Sequence, residues 1–168
     1  MAFWNEPSVE PKRKFRWLLG IGKADALPAW IIKKVTKPTF TISEVKHSYI
    51  NHSFYYPGRV EYNEIEFTLV DPLEPDAAKN LLQIITDAGY TLPESDLLAQ
   101  QTITKDLAVS SLDHVYIKQI DHDGGVIEQW ELWNAWVKEV NFGDLDYESD
   151  DINEITVKMR YDYAQKTT

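Results

Sequence analysis

The chain contains no cysteine. That excludes disulfides and thiolate metal sites and suits a protein assembled in the cytoplasm. No apolar run approaches the roughly 18 residues that a membrane-spanning helix requires. The start, Met-Ala-Phe-Trp-Asn-Glu-Pro, has neither a basic n-region nor an apolar h-region, so no signal peptide is expected. Signatures of chemistry are missing too. Gly20-x-Gly22 with Lys23 lacks both the spacing of a phosphate loop and the third glycine of a dinucleotide fingerprint. There is no glycine-framed serine, and no pair of carboxylates stands apart from the 27 acidic residues. His47 and His52 match no common ligand spacing, and Asp121-His122-Asp123 has the composition of a hairpin tip. Neither an enzyme nor a cofactor nor a bound metal is expected.

What is present is a β-rich chain of 168 residues, 43% hydrophobic and 12% aromatic, long enough to bury one core and short for two. The clearest pattern is the last strand, Asn153 to Tyr163. Ile155, Val157, Met159, Tyr161 and Tyr163 fall on one face of an extended backbone, and Glu154, Thr156, Lys158, Arg160 and Asp162 on the other. A second period-two run covers Val60 to Val70, with Ile65, Phe67 and Leu69 on the apolar side.

Between Pro72 and Gly89, the residues Ala77, Ala78, Leu81, Leu82, Ile84, Ile85 and Ala88 form a helical stripe, with Asp71 as the expected N-cap and Glu74 completing a capping box. Shorter strands are expected at Lys14–Ile21, Trp30–Val35 and Thr39–Val45, a hairpin at Val115–Ile120 and Val126–Trp133, and a further strand at Val137–Val140. Residues 1–13 read as a flexible arm carrying Phe3 and Trp4, and 14–168 as one domain. Glu44 to Arg59 reads as a long irregular insertion ending in the turn signal Pro57-Gly58. Thr91 to Leu112 reads as a short helical piece near 94–101 followed by a polar connection.

Charge is unevenly divided. Residues 1–60 carry ten Lys/Arg against four Asp/Glu, and residues 61–168 carry seven against twenty-three. Either the two halves face each other within one fold, or identical copies meet positive end on negative end. A net charge of −10 argues against general nucleic-acid binding.

The order of these elements resembles the tail tube proteins of contractile-tailed bacteriophages, themselves similar to the inner-tube proteins of type VI secretion and contractile injection particles. The residues that carry the likeness are Leu27-Pro28, the strand ending in Asp71-Pro72, the helix, Trp133-Asn134-Ala135-Trp136-Val137, Gly143-Asp144-Leu145-Asp146 and the terminal strand. The resemblance implies a mainly β fold, an antiparallel β-sandwich or half-barrel with one packed α-helix, whose copies close into a ring barrel. It implies a structural subunit of hexameric rings stacked into a tube inside a contractile sheath, with DNA passing through the lumen without specific binding. Sheath, baseplate and terminator proteins would be its partners, the virion tail its location and the host cytoplasm its place of assembly. On that reading Phe3, Trp4, Tyr49, Phe54, Tyr55, Tyr56 and Arg59 contact the adjacent ring, and Glu154, Lys158, Arg160 and Asp162 form a subunit interface or line the lumen. Two alternatives stand: a baseplate protein of the same fold that initiates the tube, and a carbohydrate-binding β-sandwich using Trp130, Trp133 and Trp136. A metal enzyme built on His47, His52, His114 and His122 ranks below both.

Overall fold

A computed structural model describes residues 8–22 and 27–168. Phe3 and Trp4 lie outside the described residues. The period-two rows do what their pattern demands, which is to pair and then stack face to face. One four-stranded antiparallel sheet has the order β1 (Trp17–Ile21), β6 (Val115–Ile120), β7 (Val126–Trp133), β10 (Tyr163–Lys166). The other has the order β2 (Ile32–Val35), β5 (Ile65–Val70), β9 (Glu154–Arg160), β8 (Trp136–Asn141). Among the described residues both sheets are open, with β1 and β10 as the edges of the first and β2 and β8 as those of the second.

The core lies between the sheets. Ile65, Phe67 and Leu69 of β5 and Ile155, Val157 and Met159 of β9 are almost wholly buried and meet Leu19, Val115, Ile117 and Leu132 of the first sheet. Each such side chain contributes about 2 kcal/mol relative to exposure, so these two rows are the main thermodynamic reason for the fold. The helix α1 (Ala77–Asp87) adds Ala77, Leu81 and Ile84 to the same core.

The helical region departs from expectation in two places. Asp76, not Asp71, caps α1: its carboxylate accepts the backbone N–H of Lys79 at 3.0 Å. Pro75 disfavours a helical Glu74, so the helix cannot begin where the earlier acid and proline invite it. Two further helices follow, α2 (Asp96–Ala99) and α3 (Lys105–Leu112), where one short helix and a polar connection were expected. Thr104 caps α3 by accepting from Leu107 N–H at 3.3 Å, and Ala108, Ser111 and Leu112 are buried. The serine hides the apolar stripe from a sequence reading, yet its hydroxyl is satisfied inside the helix by Ala108 C=O at 2.6 Å.

The long stretch from Glu44 to Arg59 is not irregular. It belongs to a two-stranded hairpin, β3 (Phe40–Tyr49) and β4 (His52–Tyr62), which pairs with neither sheet. Pro57-Gly58 is no terminal turn but part of a bulge, where the register shifts between Ile42 and Glu44 and Arg59 N–H donates to Ser43 Oγ at 2.9 Å. The true turn is Ile50-Asn51, with Ile50 in the left-handed region at φ 49°. The expected strand from Val60 to Val70 is therefore split, its first part closing the hairpin and its second entering the core. The terminal strand is split too. β9 ends at Arg160, the chain crosses between the sheets at buried Tyr161, and Tyr163 emerges exposed on β10.

Candidate assembly surfaces

The hairpin is the most prominent surface. Ten and eleven residues at about 3.3 Å each give it a reach of roughly 30 Å. An isolated two-stranded hairpin is marginal in water, and among the described residues this one is rooted at its base. There Asn63 N–H donates to Thr39 C=O at 2.9 Å, and the rings of Phe40, Tyr62 and Tyr161 stand in series 5.9 Å apart.

Cross-strand register sorts the predicted contact residues by face. Tyr49 opposite His52, His47 opposite Phe54 and Val45 opposite Tyr56 place six side chains on one face, three of them large aromatics. His52 and Phe54 stack along that face with ring centroids 6.0 Å apart. The other face carries Lys46 opposite Tyr55 and Ser48 opposite Ser53, the two hydroxyls 3.3 Å apart. Tyr49, Phe54 and Tyr56 are thus brought together, Tyr55 points away from them, and Arg59 sits apart at the bulge. Val45, Tyr49, Phe54 and Tyr56 are all exposed, so among the described residues an apolar face of this length has no cover.

The outward row of β9 forms a second surface. Lys158 donates to Glu139 on β8 at 3.1 Å, Arg160 lies 4.0 Å from Glu64, Lys138 pairs with the same Glu64, and Glu154 pairs with Lys33 on β2. The Lys138 hydrogen bond holds the Glu64 carboxyl below its usual range. Glu154, Lys158 and Arg160 share this face, a ladder of opposite charges that joins β2, β9 and β8 to Glu64 just before β5. Asp162 does not. It lies in the crossing to β10, where it accepts from Lys105 at 2.6 Å and Asn134 Nδ2 at 2.8 Å, and those two contacts lower its pKa.

A third feature went unread in the sequence. Glu128 on the inward face of β7 is buried and accepts from Trp130 Nε1 at 2.6 Å and from Lys37 at 2.7 Å, and it pairs with Lys12. Hydrogen bonds from Lys12, then Lys37, outweigh burial and hold its pKa down at about 2. Gln119 joins the cluster, accepting from Lys37 at 2.9 Å and donating to Arg13 C=O at 3.1 Å. The described part of the arm is thereby fastened to the first sheet. The available signal was a glutamate in period-two register with Trp130 and Leu132, a charge on a core-facing row.

The tryptophans do not make one platform. Trp130 and Trp133 project from opposite faces of β7, Trp133 stacks on Tyr163 at 5.8 Å, and Trp136 lies on β8 in the other sheet. His114 and His122 each lie beside only the adjacent aspartate, and among the described residues no three His, Asp or Glu side chains are placed to share a metal ion.

This arrangement of two antiparallel sheets has the fold of tube and tube-terminator proteins from contractile injection systems. The chain is similar to a chain of the anti-feeding prophage tube-terminating cap, with TM-score 0.68 and 14% identity over 100% of this chain and 99% of that one. It is similar to the same degree, TM-score 0.68 and 14% identity over 96% and 99%, to a chain of the PVC sheath/tube terminator of an extracellular contractile injection system. A chain of the six-fold symmetrised anti-feeding prophage baseplate matches with TM-score 0.63 and 15% identity over 94% and 96%. No family model and no curated protein matches the chain.

Proposed function

We propose that this protein is a non-enzymatic structural subunit of a contractile tail or injection particle, in which six copies close into a ring and rings stack around a channel. The observation that carries the reading is the uncovered aromatic face of the β3–β4 hairpin beside two open sheets. Open edges present unpaired backbone groups, and ring closure between copies removes them. A barrel built from the strands of six copies is too wide for side chains to fill and leaves an aqueous bore. The net acidity of the chain would keep passing DNA phosphates from adhering. On this reading Phe3 and Trp4 of the arm join Tyr49, Phe54, Tyr56 and the hairpin tip against the adjacent ring, and the sheath and terminator are the other partners, in a phage virion or a related particle.

The similarity over the full chain to a tube-terminating cap supports a second reading, a subunit that ends the tube instead of extending it. A baseplate initiator of the same fold would behave in the same way. Indefinite extension of the purified protein separates the tube subunit from both.

The test is to replace residues 47–54 by Asn-Gly, which closes the hairpin one step above the Lys46–Tyr55 pair with a favourable turn. The shortened protein should keep its circular dichroism and unfolding midpoint and elute as a monomer. Assembly equal to that of the parent would refute the hairpin's role.

A further inference from the structure

Five lysines line one groove of about 670 Å³, against a single carboxylate at its floor. Lys12 reaches it from the arm, Lys14 from just before β1, and Lys33, Lys34 and Lys37 from β2 and the residues after it, and Glu128 lies beneath with Trp17 and Trp130. Lys12 and Lys37 are engaged by Glu128, and Lys33 by Glu154. Among the described residues Lys14 and Lys34 have no ion-pair partner. An adjoining hollow shares Lys14, Trp17 and Lys33 and adds three apolar side chains exposed to solvent, Leu18 and, further out in solvent, Phe15 at 75% and Trp30 at 70% exposure. The surface is basic and apolar at once, in a chain whose net charge is −10.

The complementary segment lies elsewhere in the same chain. The loop 142–153 joining β8 to β9 carries Asp144, Asp146, Glu148, Asp150 and Asp151 and no basic residue. Between these acids stand Leu145 at 92% and Tyr147 at 108% exposure. The loop is not slack. Gly143 N–H donates to Asn141 Oδ1 at 2.9 Å, and Glu148 N–H donates to Asp146 Oδ1 at 3.0 Å. Within its own chain it lines a separate hollow that shares with the groove only Lys33. Among the described residues Leu145 and Tyr147 therefore have no cover within their own chain, and Lys14 and Lys34 have no acid.

We infer that the acidic loop 142–153 of one copy docks in the lysine groove of another, with Asp144 and Asp146 toward Lys14 and Lys34 and Leu145 and Tyr147 against Phe15 and Trp30. This deepens the assembly reading and rests on it for the identity of the occupant, a second copy of this chain. Charge sets the encounter and the register, and the burial of four large apolar side chains supplies the affinity. Single-stranded DNA is the competing polyanion, but it carries no side chains to fill the hollow beside the lysines.

The experiment uses the full chain and a fluorescent synthetic peptide of residues 142–153. The peptide should bind, and Lys14→Glu/Lys34→Glu, which leaves the Glu128 cluster intact, should weaken binding at least about tenfold. Leu145→Ala/Tyr147→Ala in the peptide should weaken it several-fold, which an effect of charge alone would not produce. In the whole protein, Asp144→Lys/Asp146→Lys should lower self-association, and combining it with the lysine reversals should restore it. Peptide binding unchanged by the lysine reversals, or displaced by a twelve-nucleotide single-stranded DNA that binds more tightly, overturns the inference. The outcomes separate from those of the tube reading. Rings that form unaltered with both lysines reversed sink the groove and leave the tube standing, whereas specific peptide binding without rings does the opposite.

Discussion

The Tyr62 ring, at the root of the projecting hairpin, lies 5.9 Å from the Tyr161 ring with the two planes 60° apart, at the point where the chain crosses between the sheets. Tyr62 also donates a long hydrogen bond from its hydroxyl to Ala164 C=O at 3.4 Å. One aromatic contact thus couples the hairpin to the crossing from β9 to β10. Tyr62→Ala should cost about 2 kcal/mol, from lost apolar burial plus the aromatic pair. Tyr62→Phe should cost under about 1 kcal/mol, since it removes only a weak hydrogen bond. Denaturant unfolding measures both, and equal losses would contradict the ring contact as the anchor.

Ile50 occupies the hairpin tip at φ 49° and is 89% exposed. A β-branched residue in the left-handed region costs about 1 kcal/mol or more, which asparagine largely avoids. Ile50→Asn should therefore raise the stability of the dissociated chain by up to about 1 kcal/mol while weakening assembly. Strain kept at an exposed tip points to a contact made there. A variant that is both less stable and fully able to assemble would deny this.

The Glu128 cluster gives a pH dependence of defined sign. The folded-state pKa is depressed, from the ordinary 4.5 to about 2, so its stabilisation is present above pH 4.5 and is lost as pH falls toward 2. Lys12 and Lys37 are half exposed, and solvent screening limits the contribution to roughly 1–2 kcal/mol. Glu128→Gln should flatten the difference in stability between pH 5 and pH 2.5 by that amount. Parallel pH profiles for the two proteins would show that the lysines do not hold the carboxylate.

The outward ladder of β9 makes a different demand. Exposed ion pairs contribute under about 1 kcal/mol each, so Lys158→Glu/Arg160→Glu should lower monomer stability only modestly. If that face meets a neighbouring subunit, ring assembly should be lost, as read by sedimentation. Assembly that survives the reversal moves the face to the lumen or the sheath side.

How far the sequence disclosed this structure depends on where each element's apolar row is buried. Ile65, Phe67 and Leu69, Ile155, Val157 and Met159, and the hairpin of β6 and β7 were legible because their partners are within the chain. The β3–β4 hairpin was not. Its aromatic face is exposed and a bulge at Ser43 breaks its period, so no alternation between core and solvent runs through it. Tyr163 followed the terminal strand's alternation but not its burial, since the chain changes sheets at Tyr161. The Glu128 cluster joins positions 116 and 91 residues apart, a relation that no local spacing carries.

Negative-stain electron microscopy of the purified full chain, at high protein concentration and low salt, tests the assembly reading most directly. Six-membered rings or hollow tubes should be seen, and replacing residues 47–54 by Asn-Gly should abolish them. A field of uniform monomers under those conditions, with the hairpin intact, would contradict it.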